Sequence, residues 1–385
     1  MRRLLLLVGA IVLVDTMFFA ALTPLLPHYV DEFDLGKAGA GVLQAMYPIG
    51  ALVAGIPSGI AAARLGVKRT VLIGLTLLAV TTVAFGVAGS VWMLFLARFL
   101  QGVSSAFSWT GGLAWLVAAS PAGQRGRLIG SAFGAAIAGA LFGPVLGAVA
   151  SYTGTAAAFS VVAGLALVLA VAAASTPSAP PESPQPLRML VDAIRFDRRI
   201  QGGVWLCLLP ALLFGTLSVL APLRLSDLGW GAAAVGGTYL VSAGLEAGWA
   251  PVLGRISDQV GRFRPLQAAL LSSAVVAALL PWPSNVWVLA FLVVCAGFAF
   301  GSFWTPAMSM VTDTAEVRGL DYGYAFALVN LAWAPGQAGG SAIGGALASA
   351  TSDTVSYLSL SALCVLTFVA LARYRETTAP VAAAR

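Results

Sequence analysis

Apolar residues occur along this chain in runs of about twenty, and short polar segments separate one run from the next. A helix of about 20 apolar residues crosses a bilayer core of about 30 Å. The pattern therefore predicts twelve membrane spans: 4–27, 38–60, 70–90, 92–117, 129–151, 156–174, 201–222, 232–253, 265–283, 286–311, 323–348 and 356–373. The first run could be a cleaved leader, but its length and the presence of Asp15 favour a retained span.

The basic residues predict how these spans are oriented. If the N-terminus is cytoplasmic, every lysine and arginine falls on the inner side except Lys37 and Arg224, which fall outside, and Arg98, which lies within span 4. This asymmetry is the positive-inside pattern. It predicts a protein of the cytoplasmic (inner) membrane with both termini in the cytoplasm. The net charge of +6 is then a topology signal, so we expect the lipid bilayer, and no nucleic acid, as a partner.

The chain divides into two similar halves. A proline-rich connection followed by a basic amphipathic stretch separates six spans from six, which predicts a bundle at 1–174, a cytoplasmic linker at 175–200 and a bundle with a short tail at 201–385. The loop "GIAAARLGVKR" at 59–69 returns as "GRISDQVGRFR" at 254–264. Repeated membrane halves are typical of secondary transporters, whose substrate site lies between the halves near mid-membrane.

Three charged residues lie inside the predicted spans. Asp15 is roughly 16 Å along the first helix, near mid-membrane, and Glu246 is about 12 Å from the inner end of span 8. A buried carboxylate is costly unless it is paired or protonated, so either group could carry a proton or pair with a cation. The arginine, Arg98, could partner Asp15 or take part in proton coupling. The alternative for all three is a structural tie between helices.

Glycine is unusually frequent in span 5, which reads "GSAFGAAIAGALFGPVLGAVAS" over 130–151. Small residues spaced in this way allow close packing between membrane helices, and proline permits a bend. The packing motif consists of Gly130, Gly139, Gly143, Pro144 and Gly147.

Together with "RFLQGVSSA" in span 4 (98–106) and the repeated loop, this segment resembles the major facilitator superfamily, within its twelve-helix drug:proton antiporters. The resemblance covers essentially the whole chain and implies an all-α membrane protein with twelve helices in two pseudo-symmetric six-helix bundles. A narrower likeness, to vesicular monoamine transporters and their bacterial relatives, is carried by "VDTMFFAALTPLLPHYV" at 14–30, by 97–116 and by 324–340. Asn330 stands where those carriers have an acidic residue.

The family's loop motif between spans 2 and 3 implies a cytoplasmic gate in this chain. It matches the second copy well, whereas Ala63 and Val67 replace the motif's aspartate and first arginine in the first copy. The candidate gate residues are Gly59, Arg64, Gly66, Gly254, Asp258, Gly261 and Arg262. The alternative for the basic members is a plain topology signal.

Aromatic side chains in the spans expected to line a central cavity suit flat lipophilic cations, although packing is the alternative for each of them. The candidate substrate-binding residues are Phe18, Phe19, Trp109, Tyr239, Trp249, Trp304, Asn330, Trp333 and Gln337. Proton coupling is expected at Asp15, Glu246 and Arg98.

The sequence therefore predicts a monomeric secondary transporter that exports a small lipophilic or cationic compound in exchange for protons. The alternatives are an exporter of a sugar or other metabolite on the same scaffold, or a membrane sensor that transports nothing. The sequence contains no pattern of an enzyme, a metal site or an ATPase, so we expect no cofactor and a proton gradient as the energy source.

Overall fold

The apolar runs form long helices in the structure, a computed structural model that describes residues 2–120, 125–178, 187–261, 263–320 and 322–378. The helices are α1 Arg2–Phe33, α2 Gly36–Leu65, α3 Val67–Gly86, α4 Val91–Ala119, α5 Arg125–Thr153, α6 Thr155–Ser175, α7 Leu187–Phe196, α8 Arg198–Asp227, α9 Ala232–Val260, α10 Phe263–Leu279, α11 Val286–Gly301, α12 Trp304–Val317, α13 Tyr322–Ala350 and α14 Asp353–Thr378.

Every predicted span but one corresponds to a single helix. The exception is span 10. The prediction of one helix over 286–311 is wrong, because the helix is interrupted at Ser302 and Phe303 between α11 and α12. Within the described ranges, nine stretches are long and apolar enough to cross a membrane by length and composition alone. One of these runs through α11 and α12 together, and the 17-residue α10 is a shorter apolar helix.

The helices pack into two groups. In the first half α1 packs on α5, and α4 packs on α2 and α3; in the second half α8 packs on α13 and α12, and α10 packs on α14. The repeated loops have the same backbone turn in both halves, because Gly66 between α2 and α3 has a φ of 87° and Gly261 between α9 and α10 has a φ of 80°. Glycine adopts this left-handed region without the steric penalty of a Cβ atom. The division at residues 174 and 201 stays a prediction.

The linker ends in the short helix α7, where the sequence predicts an amphipathic helix. Asp197 begins α8 by accepting hydrogen bonds from the backbone N–H groups of Arg199 and Ile200, and it forms an ion pair of 2.7 Å with Arg318. Burial raises the pKa of Asp197, but these hydrogen bonds and the arginine outweigh burial and hold the pKa below its usual value. Asp197 therefore ties the linker to the end of α12.

The two halves touch mainly at one end of the molecule, which we call the closed end: the end that holds the loops α1–α2 and α13–α14. There α2 packs on α13 so closely that a Cβ atom at Gly41 would collide with the carbonyl oxygen of Ser341. Lys37 of α2 also forms an ion pair of 2.6 Å with Asp353 of α14.

The opposite end, which holds the linker, is the open end. A Cβ atom would meet nothing within 4 Å at several glycines that lie towards this end on α2, α5 and α9: Gly55, Gly59, Gly130, Gly134, Gly248 and Gly254. The tightest contacts between the halves thus lie at the closed end, and the glycines towards the open end border open space.

Candidate functional site

Asp15 lies in α1 and is 1% exposed. Its Oδ2 atom accepts three hydrogen bonds, from the hydroxyl of Tyr47 at 2.8 Å, the hydroxyl of Ser105 at 2.7 Å and the indole N–H of Trp109 at 2.8 Å. Its Oδ1 atom is buried and has no hydrogen-bond partner. All three donors are neutral groups, so hydrogen bonding leaves the charge of an ionised Asp15 uncompensated by any cation in direct contact.

Arg98, in α4, is fully buried and lies closer to the closed end than Asp15 does. It donates from Nη2 to the carbonyl oxygen of Phe19 at 2.8 Å and from Nη1 to Gln101 at 3.3 Å. Aromatic rings surround its guanidinium group, the nearest being Tyr47, whose ring centroid is 4.9 Å away. Such ring faces stabilise a cation through the ring quadrupole. The arginine is thus accommodated by carbonyl, amide and aromatic groups.

Arg98 was one possible partner of Asp15, but no ion pair within 4 Å joins these two described residues. Tyr47 links them instead: its hydroxyl binds Asp15 while its ring faces Arg98. Tyr47 and Ser105 were not among the residues predicted for the site. Ser105 falls within the quoted span 4 stretch, whereas nothing in the sequence distinguishes Tyr47 from the other tyrosines.

An aromatic contact joins the halves close to this cluster. The rings of Phe19 in α1 and Trp333 in α13 are 5.7 Å apart in an edge-to-face arrangement, and both side chains are half-buried. Phe19 also packs at 4.8 Å on Tyr47, which binds Asp15. A molecule that enters between the halves would therefore meet this pair next to the buried carboxyl group.

Other candidate substrate-binding residues are placed differently. Phe18 is 1% exposed and packs on Phe85 and Phe159 inside the first half, so it faces the core of that half and not the gap between halves. Tyr239 donates a hydrogen bond to the carbonyl oxygen of Leu217 within the second half. Gln337 is buried at 4% exposed. Trp304 is half-buried and packs on the core, and Asn330 is exposed.

Glu246 is half-buried at the contact between α9 and α11. Its carboxyl group packs directly on Gly301, the last residue of α11, where a Cβ atom would lie 2.5 Å from Oε1. One turn further along α9, Trp249 donates its indole N–H to Ser302 at 3.1 Å. Glu246 therefore lies at the interruption of span 10, away from the Asp15 cluster.

The candidate gate is only partly described. Gly59 and Gly254 border open space, Gly66 and Gly261 form the two turns, and Arg64 lies exposed in the last turn of α2. Arg262 lies outside the described residues, as does the side chain of Asp258. The latch between these loops stays a prediction.

Three of the glycines of α5 face α1. A Cβ atom would collide with the carbonyl oxygen of Leu13 at Gly139, with the Cβ atom of Ala20 at Gly143 and with the carbonyl oxygen of Ala21 at Gly147. α5 also approaches α9 of the second half: the carbonyl group of Pro144 and the side chain of Ala148 lie near Gly236, and the side chain of Leu141 lies near Gly244. The motif thus mainly brings α5 against the helix that carries Asp15.

Comparison with known proteins gives the family. The family model described as "Major Facilitator Superfamily" matches residues 8–336. The chain belongs to the major facilitator superfamily. The D-xylose-proton symporter has the same fold, with a TM-score of 0.76 at 16% identity over 96% of both chains. The protein is therefore a multi-pass membrane transporter, not an enzyme, with the all-α fold of two six-helix bundles.

Curated relatives match over shorter stretches. A probable vesicular acetylcholine transporter-B from Danio rerio is 33% identical over 141 residues, which are 34% of this chain and 29% of that protein. Multidrug resistance protein 1 from Bacillus subtilis is 29% identical over 124 residues, which are 31% of this chain and 32% of that protein. The matches thus span less than a third of these relatives' own length.

Proposed function

We propose that this transporter exports a small lipophilic or cationic compound in exchange for protons, and that it works as a monomer in the cytoplasmic membrane. The observation that carries the proposal is Asp15, a carboxyl group buried at mid-helix that has three neutral donors and no cation in contact. A charge in this position is costly in a membrane, and a proton removes the cost. The names of the multidrug and vesicular relatives agree with this substrate class.

The geometry of Asp15 suits reversible protonation. Because all three donors converge on Oδ2, a proton can bind the unpartnered Oδ1 without breaking any of these hydrogen bonds. Tyr47 and Ser105 come from α2 and α4, so the charge state of Asp15 acts on three helices of the first half at once. Exchange then follows if substrate and proton favour different arrangements of the halves.

We take the open end to face the cytoplasm, because the positive-inside pattern predicts this orientation. In this proposal the structure is the inward-facing state, with the closed end sealed against the outside. Alternating access then requires α2 and α13 to separate at the closed end while the cytoplasmic ends of the halves approach each other.

The direct test is substrate-induced proton release. Purified protein in weakly buffered detergent solution should acidify the medium when a lipophilic cation such as ethidium is added, because binding and protonation compete. The Asp15→Asn variant should release no protons, whereas Asp192→Asn, which alters an acidic residue of α7 outside the spans, should behave as the unaltered protein. Equal proton release by the unaltered protein and Asp15→Asn would contradict the assignment of the proton to Asp15.

The ion pair at the closed end should bias the conformational equilibrium. Replacing Lys37 by Asp places a second carboxylate next to that of Asp353, so we expect the closed end to open more often. A cysteine introduced at Ala40, which is buried next to this contact, should then react faster with a membrane-impermeant maleimide. The charge swap Lys37→Asp with Asp353→Lys should restore slow labelling. Fast labelling in the swap as well would show that charge pairing does not hold this end closed.

A further inference from the structure

The proposed function uses the carboxyl group of Asp15 and gives no role to Glu246, the second carboxyl group within the spans. In the described part of the chain no ion pair or hydrogen bond includes Glu246. It lies on one stripe of α9 with Ser242 and Trp249, and this stripe follows α11 from Gly297 to Ser302. A half-buried carboxylate in an apolar span requires a compensating positive charge or a proton.

The interruption of span 10 lies directly beside Glu246. α11 ends at Gly301, and the backbone hydrogen bonding is interrupted before α12 begins at Trp304. The negative pole at the end of α11 and the positive pole at the start of α12 are three residues apart and oppose each other. The helix ends therefore do not compensate the charge of the Glu246 carboxyl group.

Trp249 supplies an aromatic surface one turn from Glu246. Its indole N–H is held by Ser302 at 3.1 Å, and its ring packs on Phe298 at 5.1 Å with a tilt of 37°. These two contacts fix the ring. Tryptophan attracts organic cations more strongly than the other aromatic side chains do, and a ring offers no oxygen ligand to a small metal ion.

We propose that Glu246 and Trp249, at the interruption of span 10, form a binding site for the organic ammonium group of the transported compound. The carboxylate neutralises the charge, and Trp249 contacts the alkyl groups on nitrogen. This inference rests on the proposed function, since it takes the bound cation to be cargo. It separates the two carboxyl groups: Asp15 holds the proton and Glu246 holds the substrate.

The test uses two probes of the same shape: benzyltrimethylammonium, which is charged, and neopentylbenzene, its uncharged carbon analogue. Binding is measured by equilibrium dialysis on the full chain in lipid nanodiscs. The unaltered protein should bind the cation saturably and more tightly than the neutral analogue. Glu246→Gln should weaken cation binding by about 30-fold or more, since a charge partner is lost, and should leave binding of the analogue unchanged.

Three matched variants complete the experiment. Glu246→Asp keeps the charge and should retain most cation binding. If it does, the weaker binding of Glu246→Gln is not caused by misfolding. Trp249→Leu should weaken it, whereas Trp249→Phe should retain more. Glu316→Gln alters an exposed acidic residue of α12 and should change nothing.

The proposal is overturned if Glu246→Gln binds the cation as tightly as the unaltered protein does, if Glu316→Gln weakens binding equally, or if the unaltered protein shows no saturable cation binding. Asp15→Asn distinguishes this site from the proposed function, because it should abolish proton release but retain cation binding. Loss of cation binding in Asp15→Asn with retention in Glu246→Gln would transfer the substrate site to Asp15.

Discussion

Replacing Asp15 by Asn is expected to reduce proton-driven accumulation of ethidium to the level of vesicles without transporter, while passive exchange of ethidium persists. Asparagine has nearly the same size, and its carbonyl oxygen can still accept hydrogen bonds from Tyr47, Ser105 and Trp109. The helices α1, α2 and α4 therefore stay connected. What disappears is the ability to bind and release a proton, so the pathway remains but its coupling to the gradient does not.

The measurement compares two assays on inside-out vesicles containing equal amounts of protein. Accumulation is followed under an imposed proton gradient, and counterflow is followed at equal pH on both sides. Glu246→Gln should differ from Asp15→Asn by losing counterflow as well, because it weakens substrate binding. Asp192→Asn is the control. If Asp15→Asn still concentrates ethidium when a proton gradient is imposed, the protons are carried elsewhere or another ion drives transport.

The buried charges were predictable from the sequence because ionisable residues are rare within membrane spans. Their partners were not. Tyr47 contacts Asp15 from a position 32 residues away, and Ser105 does so from 90 residues away. Which face of α2 or α4 turns towards Asp15 depends on how the helices are rotated against each other, and helical periodicity cannot fix this rotation when apolar residues surround the whole helix.

The partner of Arg98 could not be identified from the sequence, for a related reason. Charge alone suggests that a buried arginine meets a buried carboxylate. In the structure Arg98 is satisfied by the carbonyl oxygen of Phe19, by Gln101 and by the ring of Tyr47. Arginine can use backbone and aromatic partners equally well, so sequence composition does not identify which partner it takes.

The interruption of span 10 also escaped prediction, since the run 286–311 is continuously apolar up to Gly301 and its proline, Pro306, lies beyond the break. Tertiary contacts favour the break: Trp249 donates to Ser302, and Glu246 occupies the space beside Gly301. These contacts join residues more than 50 positions apart. A local pattern therefore predicted a span correctly but could not show that the span consists of two helices.

The glycines of α5 give the second large expected effect, because the structure divides the motif into crowded and open positions. At Gly143 a Cβ atom would overlap the Cβ atom of Ala20 and lie 2.7 Å from the carbonyl oxygen of Met17. At Gly130, in the same helix, a Cβ atom would meet nothing within 4 Å. The sequence presented these glycines as equivalent members of one motif.

Gly143→Leu is therefore expected to abolish both proton-driven accumulation and counterflow of ethidium, whereas Gly130→Leu should retain both. A leucine at 143 forces α1 away from α5, and α1 carries Asp15 and Phe19. Overpacking costs typically 1–3 kcal/mol even in adaptable cores, and here the obstacle includes backbone that a side-chain rotation cannot relieve. Immunoblotting of the membranes should show both variants inserted in similar amounts. Equal transport by the two variants would mean that close approach of α1 and α5 is not needed for transport.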